Sequence, residues 1–122
     1  MNLFKLFIFI NGIYDLLCAF AILFFPNTII GNIHPLIFNK DCQLKNRILA
    51  YWLITYGSIR CFIIYENKNI NLLIALSYFI EAYAYIYEYI YYKTTIKYKV
   101  IWISLSSLII GTIILLANSS NI

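Results

Sequence analysis

Four ionisable residues stand inside long apolar runs of this 122-residue chain: Asp15, Arg60, Glu81 and Glu88. Paired carboxylates can do acid–base work. An acid and a guanidinium that meet in apolar surroundings can instead neutralise each other. At the centre of a lipid-embedded helix each such residue costs about 2.5–3.5 kcal/mol on insertion scales, and groups retained at that cost normally face the bundle interior and pair. With a helical rise of about 1.5 Å per residue, Asp15 and Glu81 both fall near the middle of their runs. Arg60 precedes Tyr65 by five residues, and its long side chain could reach either acid. Glu88 stands near the end of its run, where it snorkels or meets the basic stretch that follows.

Around Glu81 the residues Tyr78, Glu81, Tyr85, Glu88 and Tyr92 recur in steps of three and four. On a helix that spacing makes one stripe of hydroxyls and carboxyls. Tyr83, Tyr87 and Tyr91 make a second stripe. Three readings compete. The favoured one is a structural ion pair between Arg60 and Asp15 or Glu81, with tyrosines donating hydrogen bonds, because polar residues commonly hold membrane helices together. The second is a docking face for another membrane protein. The third is a catalytic or ion-conducting site, for which no second helix offers a matching His, Cys or Lys at depth. Tyr89, Tyr91 and Tyr92 also suit an aromatic belt at the interface.

Other chemistry is poorly supplied. His34 is the only histidine, and Cys18, Cys42 and Cys61 form no C-x-x-C pair. The thiols read as small apolar residues. No metal-ligand cluster, glycine-rich phosphate loop or nucleophile motif is present, so no catalytic residue, metal or cofactor is expected, and the chain is not expected to be an enzyme.

The elements that position these residues follow from composition. The chain is 63% hydrophobic and 11% charged, where soluble domains run at about 45–50% and about 25%. It lacks the charge to cover a surface in water. Its nine basic residues and net charge of +4 sit in short gaps between apolar runs, which argues for membrane topology and against nucleic acid. Four spans of about 20 residues would use most of the length. We expect an all-α integral membrane bundle of four transmembrane helices, one domain over 1–122, with helices at about 3–25, 47–65, 70–92 and 100–117. A cleaved signal peptide at the N-terminus is disfavoured, since the first run is too long and lacks an A-x-A site. Pro26 and Pro35 rule against a continuous helix in the 26–46 connector, whose apolar middle could rest in the interface. A tyrosine at every second position from 83 to 91 is strand periodicity. An isolated strand cannot satisfy its backbone in lipid, so this stretch reads as helix.

Lys40, Lys45 and Arg47 lie at the first connector and Lys93, Lys97 and Lys99 at the third, against Lys5 and Lys68 on the other side. That bias places the 26–46 and 93–99 connectors in the cytoplasm. Both termini and the 66–69 turn then face the lumen or the outside.

From Arg47 onward, the polar residues keep fixed steps. Trp52 follows Arg47 by five residues and Arg60 follows Trp52 by eight, flanked by Ser58 and Cys61. Tyr65, Asn69, Glu88 and Lys93-Thr94 come after. This set resembles the ergosterol biosynthetic protein 28 family, small four-helix proteins of the endoplasmic reticulum membrane. The resemblance covers roughly half of the chain. Ala50 stands where the family has a small glycine, Ala84 where it usually has a histidine, and the stretch from Asn69 to Tyr78 is slightly shorter. The first helix, with Asn11, Gly12 and Asp15, matches only loosely. The resemblance implies a non-catalytic scaffold that gathers the sterol C-4 demethylation enzymes: the oxidase, the decarboxylating dehydrogenase and the ketoreductase. It implies structural or docking roles for Arg47, Trp52, Arg60 and Glu88.

Asp15, Arg47, Trp52, Arg60, Glu81 and Glu88 are thus the expected structural or partner-binding network. The expected partners are the lipid bilayer and other membrane proteins, with a homo-oligomer left open. The rival readings are a small oligomeric ion or proton pathway lined by Asp15 and Glu81, a lipid-acting membrane enzyme using one of those acids, and a viral or orphan multi-pass protein.

Overall fold

The computed structural model describes residues 3–38 and 42–120. Asn39, Lys40 and Asp41, and with them part of the charge counted on the first connector, lie outside the described residues, as does the end of the polar tail. The fold is all-α, and no strand forms among the described residues. Its helices are α1 (Leu3–Phe24), the single turn α2 (Ile29–Asn32), α3 (Gln43–Cys61), α4 (Lys68–Tyr87) and α5 (Lys97–Ser120). Four segments are long and apolar enough to cross a membrane: Leu3–Phe24, Gln43–Tyr65, Lys68–Tyr92 and Lys97–Asn118. This fits a multi-pass membrane protein.

Local chemistry sets the helix ends. Pro26 disfavours helical backbone in the residue before it, and α1 stops at Phe24. Thr28 opens α2, its hydroxyl accepting from the Gly31 amide at 3.2 Å and donating to the Phe25 carbonyl at 2.7 Å. Pro35 begins a 3₁₀ turn, Pro35–Ile37. Asn67 caps α4 by accepting from the amides of Asn69 and Ile70 at 2.9 and 3.2 Å. α4 widens into a π turn, Glu88–Tyr92, and stops at Lys93, which takes the left-handed conformation at φ 52°.

The chain divides into two compact units between Ile64 and Tyr65. In the first, α1 and α3 run antiparallel. Cys18, Ala19 and Ile22 of α1 pack with Leu49, Ala50 and Leu53 of α3. Further along, the backbones come close at Gly12 and Gly57. A Cβ on Gly12 would stand 2.8 Å from the Gly57 carbonyl oxygen, and one on Gly57 would stand 2.8 Å from that of Gly12. Without a water-driven hydrophobic effect between lipid-embedded helices, such close approach is what packs them.

In the second unit α4 and α5 are also antiparallel. Asn118 Nδ2 donates to the Lys68 carbonyl at 3.3 Å, and Phe79 lays its ring against Gly111, where a Cβ would meet it at 3.0 Å. Outward faces are apolar: Leu17, Phe20 and Phe24 on α1 and Trp102, Leu105 and Ile109 on α5 are all more than half exposed. Hydroxyls on exposed positions bond within their own helix. Thr55, Ser106 and Thr112 donate to the carbonyls of Tyr51, Trp102 and Leu108 at 3.1, 2.7 and 2.7 Å.

The ends differ from the apolar runs. α3 begins at Gln43, four residues before Arg47, and gives way to a 3₁₀ turn over Phe62–Tyr65. α5 begins at Lys97 and continues to Ser120. Hydropathy marks the stretch that lipid must cover. A helix continues through polar residues that do not break it, because Gln and Lys are good helix formers.

Candidate functional site

The buried charges meet where α1 crosses α3. Three residues after Gly12 comes Asp15 and three after Gly57 comes Arg60, and the Arg60 guanidinium (Nη1) lies 2.7 Å from Asp15 Oδ2, with side-chain exposures of 2% and 5%. The same nitrogen donates to Asn11 Oδ1 at 3.4 Å. Asn11 and Asp15 are one helical turn apart, so α1 presents an amide and a carboxylate together. Arg60 also sits over the Tyr56 ring, 5.4 Å from its centroid, a cation–π contact. Tyr56 in turn meets Trp52 edge-on at 4.9 Å and 61°. Trp52, Tyr56 and Arg60 therefore form a ladder along one side of α3. Trp52 is half-buried at the margin of the Cys18–Leu53 cluster.

The first connector joins this site. His34 brings its imidazole to 6.0 Å from the Tyr14 ring. Tyr14 lies ten residues before the end of α1, about 15 Å along the axis at about 1.5 Å per residue. The chain thus leaves α1, folds back to its mid-height and returns to start α3. Pro35 and Ile37 are buried, and Lys45 of α3 pins the loop, donating to the Pro35 carbonyl at 3.5 Å with its ammonium 5.0 Å from the Phe38 ring centre. The apolar middle of this connector turns Ile37 inward and leaves Leu36 exposed. His34 Nδ1 is buried and has no hydrogen-bond partner among the described residues.

The other expected residues have local surroundings of their own. Arg47 is exposed near the start of α3, far along the helix from Arg60. Glu81 and Glu88 belong to the second unit and are half-buried. Glu88 accepts from the Thr94 hydroxyl at 2.7 Å, and its own carbonyl accepts from the Thr94 amide at 3.3 Å. The carboxylate so ties the π turn to the connector behind it. On the tyrosine stripes, Tyr78 and Tyr85 are buried. Tyr83, Tyr87 and Tyr91 stack in sequence, at 5.6 Å and 28° and then at 4.4 Å and 29°. Outside the spans, the amides of Lys45 and then Leu44 hold the exposed Cys42 thiol below its usual range, with the charges of Lys45 and Arg47 adding to the effect.

The sequence pattern named Asp15 and Arg60 but missed Asn11, Tyr56 and His34 as their neighbours. Asn11 and Tyr56 carried a signal, each one turn from a charge inside an apolar run. His34 carried none, since its contact depends on the path of a loop. Among the described residues, no three His, Cys, Asp or Glu side chains gather as a metal site would require. The arrangement neutralises charge at depth, locks two helices, and leaves one imidazole beside the pair. No family model, curated protein or solved structure matches the chain.

Proposed function

We propose that the protein is a non-catalytic scaffold of the endoplasmic reticulum membrane, similar to the ergosterol biosynthetic protein 28 family, that tethers sterol-processing enzymes. The observation that carries this reading is the Arg60–Asp15 pair, which consumes two ionisable groups within one helix crossing. A cation and an acid joined at 2.7 Å over a glycine contact suit a rigid element. Arg60 is also one of the positions that carry the family resemblance, and Tyr56 connects it to another, Trp52. In this reading the connectors 26–46 and 93–99 face the cytoplasm and both termini face the lumen. Partners bind on helix faces and short connectors. Holding sequential enzymes on one scaffold raises their effective concentration without any new catalytic group.

Affinity purification from the native membrane in mild detergent tests it. Tagged wild type should bring down sterol-processing enzymes, and Arg60→Leu should lose them. Equal recovery with equal stability would take Arg60 out of the scaffold reading, and recovery of the chain alone would favour an oligomer.

A second reading, a small proton pathway, is favoured by one observation: His34, Tyr14 and the Asp15–Arg60 pair adjoin at mid-height of α1. Flux into liposomes that disappears in Asp15→Asn and Glu81→Gln would support it, and wild type without flux would end it.

A further inference from the structure

Where α1 ends and α3 begins, the first unit holds a cavity of about 320 Å³. Its apolar lining includes Ile22 and Leu23, and its polar lining includes Asn27, Asn32, Gln43 and Arg47. Small-molecule sites start at about 300 Å³ and combine apolar walls with a few polar groups. Among the described residues no carboxylate lines this cavity. Arg47 is exposed and forms no ion pair among them. Its guanidinium is always charged and offers five N–H donors in a planar fork that matches phosphate oxygens. Asn27 and Gln43 add amide donors, and Asn32 keeps one N–H beyond its bond to the Thr28 carbonyl at 3.0 Å.

Location selects the ligand. The cavity lies at the end of two candidate spans, a position that a bilayer would surround with lipid headgroups, and basic pockets between transmembrane helices bind anionic headgroups. Leu23, partly buried, belongs to the apolar span itself, which an acyl chain would follow. We propose that this cavity binds the phosphate of an anionic membrane lipid, with Arg47 gripping the phosphate oxygens and the amides of Asn27, Asn32 and Gln43 completing its hydrogen bonds. A free phosphate offers the same oxygens but gives the partly exposed Leu23 nothing to cover. The proposal needs the membrane placement alone and stands without the scaffold reading.

Native mass spectrometry of the full chain in a neutral detergent, titrated with dioleoyl phosphatidic acid and with dioleoyl phosphatidylcholine, tests it. Phosphatidic acid should bind wild type at least about tenfold more tightly than Arg47→Gln, as expected for losing charge-assisted hydrogen bonds. Arg47→Lys should recover part of the difference, and phosphatidylcholine should not distinguish the variants. Lys97→Gln, which removes a charge from the second unit, should bind like wild type. Unchanged binding by Arg47→Gln, or an equal loss in Lys97→Gln, would overturn the site. Displacement of phosphatidic acid by millimolar inorganic phosphate would overturn the lipid assignment in favour of a soluble phosphate.

Discussion

Arg60 and Asp15 are each tolerable only because the other is present. Removing one partner of a buried pair strands a charge in a low-dielectric site and costs about 3–5 kcal/mol. Asp15→Ala should therefore lower the thermal midpoint of the purified chain in detergent sharply. Replacing both residues with apolar ones of similar volume, Asp15→Leu with Arg60→Met, should recover most of the loss. If the double variant is no more stable than the single ones, the pair is not the source of the effect. His34 gives the opposite case. Its Nδ1 is buried with no hydrogen-bond partner among the described residues, so His34→Leu should raise stability by about 1 kcal/mol, the scale of an unsatisfied buried polar group. Thermal unfolding reads this directly, and a destabilised His34→Leu would mean that the imidazole has an essential contact. The sequence made the charge pair legible because an ionised group in an apolar run is expensive. It did not make His34 legible, because a histidine in a proline-bounded connector carries no marker of the depth to which the loop returns.

Helices α1 and α3 are held together by the absence of side chains as much as by their presence. A methyl group on Gly12 or Gly57 would press against backbone, which cannot rotate away, whereas one on Gly111 would press against the tip of the Phe79 ring. Overpacking costs about 1–3 kcal/mol. We expect Gly12→Ala and Gly57→Ala to destabilise by that amount and Gly111→Ala by less, as measured by unfolding in detergent. Equal effects at all three positions would contradict a backbone contact between α1 and α3. The helices themselves were legible in apolar runs of spanning length. The crossing was not: Gly12 and Gly57 are single glycines in different runs, and no G-x-x-x-G pattern pairs them. The strand-like tyrosine alternation over 83–91 resolves into the end of α4 and a π turn, because lipid leaves the backbone no partner other than its own helix.

For the whole chain, the proposed topology puts the 26–46 connector in the cytoplasm, and Cys42 tests that orientation. It is exposed in the first connector, while Cys18 is buried and Cys61 partly so. Its thiol is also held toward the reactive thiolate by the start of α3. In sealed microsomes with the cytoplasmic face outward, a membrane-impermeant maleimide should label Cys42 without detergent, and Cys42→Ser should remove the signal. Labelling that appears only after permeabilisation would invert the topology. Fold class was legible because composition leaves water no role. Partners were not, because a lipid-facing surface and a docking surface are both apolar. The pair of charges has one more consequence, for biogenesis. Asp15 and Arg60 are separated by 45 residues of chain. At about 5–20 residues per second of synthesis, the acid emerges some seconds before its counterion. During that interval α1 holds an uncompensated charge, and it must linger at the insertion machinery until the second span arrives to release it into the bilayer.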